Sequence, residues 1–399
     1  MIKTALTFLV IYFSLQIASD LNKDNLRDLK PSPKKIPVTF DAHGVKRVDN
    51  YYWMRDDTRK DQEVIDHLNT ENAYLEGWFA SGLDERDKLF QEITDRIPKK
   101  EDSVPIRLKN YEYFRRYEPE NEYAIYIRRK NKNSEEIVLL DVNELAHGKD
   151  FYQLANWSIS PSESLMAYAE DINGRRQYSI KFKDLIKSET YDYVIENTSG
   201  DMAWSAEGDY LFYVLRDGET LLPHKVFRHK VGTSQDTDEL VYEEKDTTFY
   251  LSVGNTRSME FIELSISSTT SSETRLIKSN NPTSSPEIFY KREKDHLYSV
   301  DHDPASDRFL IESNWNATNF RLLEVNLIDS KVKENWKEII PHREAVLLQA
   351  VIPFPKHLVV MERENGLKKL RILDKESLNS RTVNFNDPSY TAYLASNPE

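Results

Sequence analysis

Serines recur at a constant interval of 47 residues, at Ser158, Ser205, Ser252 and Ser299. Each lies in a strand-like run, followed by a polar turn and a second run: WSISPSESLMAYAED, WSAEGDYLFYVLR, YLSVGNTRSMEFIEL and YSVDHDPASDRFLIES. A later unit, AVIPFPKHLVVMER, keeps the strand pair with a shift of a residue or two. A period in the forties carrying about four strands is the signature of a β-propeller blade. One twisted four-stranded sheet cannot cover both of its faces. Radial stacking of such sheets covers them and leaves only short edges. A large β-sandwich with a chance recurrence is the competing reading. Three equal intervals, each beside a similar strand pair, favour the propeller.

Units open near residues 105, 155, 202, 249, 296 and 346, which makes six. A seventh is expected to open at TAYLASNPE, and the sequence ends inside its first strand. A ring that stops mid-blade leaves a raw sheet edge, so the expectation is a truncated seven-bladed propeller over residues 101–399.

The first hundred residues read differently. Val64, Ile65, Leu68, Leu75 and Phe79 share one helical face, with Asp61 placed to cap the start. Leu89, Phe90, Ile93 and Ile97 mark a second helix that Pro98 ends. Just ahead stand Tyr51, Tyr52 and Trp53, three large rings with little helical company in this chain. Residues 36–100 are therefore expected to form a helical segment separate from the propeller. Pro98 and Pro105 bracket the charged residues between this segment and the strand-rich region.

Residues 1–19 have a lysine, an apolar run from Ala5 to Leu15, then Ala18 and Ser19. This is the layout of a secretory signal peptide, and the run is too short for a comfortable membrane span. Export to a periplasmic or extracellular location is expected, with a cytoplasmic location as the alternative. No stable membrane insertion is expected after removal of the signal. Residues 20–35 read as a flexible lead-in.

The chain has 54 basic and 67 acidic residues, a net charge of −13. That balance argues against nucleic acid as a partner, which needs basic surface to displace counterions. It is compatible with attraction of basic peptides. There is no cysteine and there are only 11 glycines. Thiol nucleophiles and cysteine-based zinc sites are excluded, and no Gly-x-Ser-x-Gly, Gly-x-Gly-x-x-Gly, Walker or His-Glu-x-x-His motif occurs. No cofactor or metal is expected.

His296, Asp301, His302 and Asp303 cluster in KDHLYSVDHD and invite a metal or acid–base reading. The plainer reading is a strand and its turn, with Tyr298 and Val300 on one side. Arg175 and Arg176 follow the tight turn Asn173-Gly174 and are expected to pair with Glu170 or Asp171. Glu243–Asp246 (EEKD) reads as a solvated loop between blades, with contact to another domain or a basic substrate as the alternative. None of these is assigned as a catalytic residue, and no binding residue is identified.

Several stretches together resemble the oligopeptidase B branch of the prolyl oligopeptidase family of serine peptidases. They are PVTFDAHGVKRVDNYYWMRDDTR, NEYAIYIRR, AEDINGRRQYSIKFKDL, TLLPHKVFRHKVGT, LVYEEKDTTFY, KDHLYSVDHD and NFNDPSYTAY. They run in the family's order from about residue 36 to the end. The resemblance implies an α/β-hydrolase domain capped by a seven-bladed propeller. Residues 36–100 would then belong to the hydrolase domain and 101–399 to the propeller. The Ser, Asp and His of the triad would follow the propeller, outside this sequence. The whole enzyme would cleave short peptides after Arg or Lys, with the propeller excluding folded proteins, and this chain alone would be inactive. Its partners would be short basic peptides and its own hydrolase domain. A stand-alone propeller acting as a binding scaffold, or an inactive truncated product, is the alternative. A propeller glycosidase would need paired carboxylates at the pore, and the spacing singles out none.

Overall fold

A computed structural model describes residues 30–398. The expected signal peptide and residues 20–29 of the lead-in lie outside the described residues. The chain divides into two compact units, one ending at Pro98 and one beginning at Lys99.

The first unit opens with a hairpin of Val38–Ala42 against Val45–Asp49. His43 and Gly44 both have positive φ (56° and 76°), the two-residue turn whose twist suits a hairpin. Tyr52 sets its ring edge-on to Phe40 at 4.8 Å. Trp53 donates its indole N–H to the carbonyl of Lys34 (2.9 Å) and faces His67 at 6.1 Å. Helix α1 spans Gln62–Phe79, and Asp61 caps it by accepting from the N–H of Glu63 (2.9 Å). Helix α2 spans Leu83–Asp95. The apolar periodicity makes both helices, but their own unit leaves much of the stripe bare. Leu68, Leu75, Phe79, Leu89, Phe90, Ile93 and Ile97 are all exposed.

The second unit is a row of antiparallel meanders. Blade 1 covers residues 101–141, blade 4 residues 250–290, blade 5 residues 298–340 and blade 6 residues 346–382. Blades 2 and 3 share one seven-stranded sheet. Its 16-residue strand Glu189–Trp204 is the outer strand of blade 2 and then the inner strand of blade 3. The register breaks near Gly200 (φ 87°), where an added Cβ would stand 3.2 Å from the Tyr178 ring. Glycine there lets one strand pass from one blade to the next.

Among the described residues, five core clusters tie successive blades together. Tyr113 and Leu139 meet Met166 and Tyr168 between blades 1 and 2. Phe182 and Ile195 meet Trp204 and Tyr213 between blades 2 and 3. Phe212 and Val226 meet Leu251 and Ile262 next. Phe289 and Tyr290 meet Phe309 and Trp336 between blades 4 and 5. Leu310 and Leu322 meet Leu358 and Val360 between blades 5 and 6. This sheet-on-sheet burial is the propeller logic that the repeat implies.

The constant 47-residue interval does not mark equivalent positions, however. The hairpin joining the first two strands closes at Ser160–Leu165, Ser205–Tyr210 and Thr256–Phe261 in blades 2, 3 and 4. In each, the hydroxyl accepts from the backbone N–H five residues on, at 3.1, 3.0 and 3.2 Å. Ser158 lies two residues ahead of its hairpin end, paired with Ala167, whereas Ser205 is the hairpin end itself. Ser252 and Ser299 lie deeper still, paired with Ser265 and Glu312. Blades differ in loop length, and the fold absorbs this at the surface, so only the average period is regular. Residues 391–398, where a seventh unit was expected to open, carry no strand. A first strand is held by the ladder of its neighbour, and the described residues offer none there.

Candidate functional site

A cavity of about 690 Å³ lies where the inner strands of blades 4, 5 and 6 converge. Three carboxylates and one guanidinium line it: Glu263, Asp301, Glu312 and Arg257. Strand alternation puts them there. In Phe261–Ser267, Ile262, Leu264 and Ile266 are fully buried against blade 3, so Glu263 points to the opposite face. In Tyr298–Asp303, Val300 and His302 are buried and Asp301 lies on the other face.

Each acid keeps a specific partner. Glu263 accepts from the Ser265 hydroxyl (2.7 Å), and Glu312 accepts from the N–H of Val351 in blade 6 (2.6 Å). Asp301 accepts from the N–H groups of Arg257 (2.9 Å) and His302 (2.8 Å). Arg257 stacks over Phe354 at 4.5 Å and donates to the carbonyl of Asn397 (2.5 Å). Residues 394–398 thus run along the cavity wall.

Burial pushes the carboxyls of Glu263 and Glu312 up to about 7, and the neighbouring charge of Asp301 adds to both. Burial also raises Asp301 and lowers Arg257. The lining thus combines carboxyls whose ionisation burial disfavours with one guanidinium.

The residues singled out from the sequence do not form one centre. His296 is buried, stacks on Tyr298 at 5.3 Å and bonds Ser313 through Nε2 (2.9 Å). Burial holds its pKa down at about 4. His302 is packed between Phe261 and Phe309, at 5.0 and 4.9 Å. Asp303 caps its turn through Ala305 and Ser306 and pairs with Lys375 (2.6 Å). Only Asp301 reaches the cavity. Among the described residues, no group of three His, Asp or Glu is placed to hold a metal ion. No described helix is long and apolar enough to cross a membrane.

Two local expectations need correction. Asp171 accepts from the backbone N–H groups of Asn173, Gly174 and Arg176, and Glu170 bonds Tyr152 and Lys181. Neither acid forms an ion pair with Arg175 or Arg176, because the turn's own N–H groups and neighbouring strands satisfy them first. EEKD is not simply a solvated loop. Glu244 is buried, accepting from Arg292 (2.5 Å), Tyr242 (2.8 Å) and the N–H of Asp246 (2.9 Å).

Glu263, Glu312 and Arg257 had escaped sequence reading. The available signal was a lone carboxylate inside an apolar strand, as in FIELSIS and RFLIES. Such a residue is ordinary on a solvated face, and only the convergence of three blades distinguishes these.

Comparison with known proteins places the chain. Residues 30–399 match the family model described as "Prolyl oligopeptidase, N-terminal beta-propeller domain". Dipeptidyl aminopeptidase BI of Pseudoxanthomonas mexicana is 38% identical over 386 residues, covering 92% of this chain and 52% of that protein. Protease 2 of Moraxella lacunata is 33% identical, covering 92% of this chain and 53% of that protein. The solved structure of oligopeptidase B from Leishmania major superposes with a TM-score of 0.86 at 28% identity, covering 91% of this chain and 54% of that one. The chain spans about half the length of the curated relatives it matches. By its meanders, its inter-blade cores and these matches, the chain belongs to the prolyl oligopeptidase family and comprises its N-terminal propeller region.

Proposed function

We propose that this chain is the N-terminal and propeller portion of a serine peptidase that cleaves short peptides after Arg or Lys. The observation that carries the reading is the cluster of Glu263, Asp301 and Glu312 around one cavity. An acidic wall at the propeller's inner strands attracts basic peptides and disfavours others. Propeller walls of stacked sheets admit an extended peptide more readily than a folded domain, which supports a size-excluding role.

The chemistry would lie in a C-terminal α/β-hydrolase domain. There a serine would attack the scissile carbonyl, a histidine would shuttle the proton, an aspartate would orient it, and backbone N–H groups would hold the oxyanion. Residues 36–100 would dock on that domain. The bare stripe of α1 and α2 supports this, since exposed contiguous apolar surface marks a partner face. Opening at the hinge of residues 98–105 would admit substrate. Residues 1–19 would direct export and be removed.

The test uses the full-length gene product and chain 1–399 side by side. The full-length protein should label with a fluorophosphonate and hydrolyse Arg- and Lys-ended fluorogenic peptides, while 1–399 alone should do neither. Labelling of 1–399 would overturn the division of labour.

The name of the 38%-identical relative favours a second reading, removal of dipeptides from a free amino terminus. Blocking the substrate's amino terminus separates the two. An endopeptidase tolerates the block, and a dipeptidyl aminopeptidase does not.

A further inference from the structure

A second recess, of about 560 Å³, opens at the hairpin ends of blades 1 and 2. Arg107, Arg128 and Lys130 line it, and Glu163 is the one acid among the lining residues. In a chain of net charge −13, this is a local reversal of sign.

The cations here are left without carboxylates. Several other arginines of this unit are paired: Arg116 with Asp102 and Glu136, Arg292 with Glu244, Arg371 with Glu362. Among the described residues, Arg107, Arg128 and Lys130 form no ion pair, and the donors of Arg107 and Arg128 go to backbone carbonyls. Glu163 offsets one of these charges but engages none of the cations through its carboxylate, whose two oxygens accept from the N–H and the side-chain amide of Asn110 (3.2 and 2.7 Å), so the lining keeps a positive excess. Arg107 spends its donors on the carbonyls of Lys109 and Lys130, both at 2.9 Å.

Arg128 is the decisive residue. It is only 4% exposed, its guanidinium donates to the carbonyl of Glu163 (2.8 Å), and the Tyr113 hydroxyl lies beside it. Its Nε is buried without a partner, and its plane rests on the Tyr111 ring at 4.3 Å. A buried charge is costly unless it is paired. A preorganised guanidinium with unused donors, beside two more cations, is the arrangement that takes an oxyanion.

We propose that this recess binds an oxyanion, either a phosphate group or a peptide carboxylate, using Arg128 as the buried anchor and Arg107 and Lys130 as the rim. The site is separate from the acidic cavity and has the opposite charge preference. It does not depend on the peptidase reading.

Calorimetric titration of chain 1–399 tests it, at constant ionic strength with chloride as the reference anion. The probes are inorganic phosphate and a blocked dipeptide bearing either a free carboxylate or an amide. At least one oxyanion should bind saturably, with a Kd on the order of 1 mM or tighter. Tighter binding of phosphate assigns a phosphate-bearing ligand. Tighter binding of the dipeptide acid over its amide assigns a peptide terminus. Arg107→Gln with Lys130→Gln, both at exposed positions, should weaken binding by about tenfold or more. Lys337→Gln, on blade 5, should not. Absence of saturable binding by both oxyanions, or equal binding by the double variant, would overturn the proposal.

Discussion

Arg292 donates to Glu244 at 2.5 Å, joining the connection that leaves blade 4 to the connection that enters it. The same guanidinium reaches Glu273 (3.4 Å) and stacks over Phe249 at 4.1 Å. One side chain thus ties both ends of a blade to its middle. Removing its partner leaves a half-buried cation with a weaker bond. Glu244→Ala should cost about 1–3 kcal/mol in urea denaturation. Glu244→Gln, which keeps an acceptor, should cost less. Equal losses for the two would show that the charge is immaterial.

The acidic cavity should make stability depend on pH. Glu263 and Glu312 titrate near 7 in the folded chain and near the ordinary carboxylate value when unfolded. Between those values the folded state binds more protons, so their contribution is full below about pH 4.5 and is lost as pH rises through about 7. Thermal unfolding of the double variant Glu263→Gln, Glu312→Gln should therefore lose less stability across that window than the parent.

His296 acts with the opposite sign. Its folded value is held near 4 by burial, so its contribution is present above about 6.5 and is lost as pH falls towards 4. Its imidazole resonances should still report a neutral ring at pH 5.5. A protonated ring there would contradict its packing against Tyr298.

Trp204 is fully buried at the seam of blades 2 and 3, edge-on to Phe182 at 6.2 Å. Trp204→Ala should cost about 3–5 kcal/mol, read by chemical denaturation. The seam is shared by one continuous strand, so both blades should lose hydrogen-exchange protection together.

The α2 stripe should behave as surface in chain 1–399. Phe90 is 66% exposed and Leu89 57%. Leu89→Ser with Phe90→Ser should change stability by no more than about 1 kcal/mol. It should also reduce self-association on gel filtration. A large loss of stability would mean that the stripe is already covered within the chain.

The amino-acid sequence by itself determined the elements. Alternating apolar residues specify strands, the apolar spacing of residues 64–79 specifies a helix, Asp61 caps it, and the average period specifies blades. These are short-range matters, in which a residue's type and its near neighbours decide the outcome. The phase of the repeat was not legible, because Ser158, Ser205 and Ser252 are equally spaced but occupy different positions relative to their hairpins. The acidic cavity was not legible either. Glu263, Asp301 and Glu312 come from two blades and meet under the cover of a third, and each alone reads as an ordinary strand carboxylate. Likewise, Arg292 finds Glu244 and Arg128 finds no carboxylate only once the sheets are stacked. Burial and charge pairing depend on which strands converge, and that is a property of the tertiary packing.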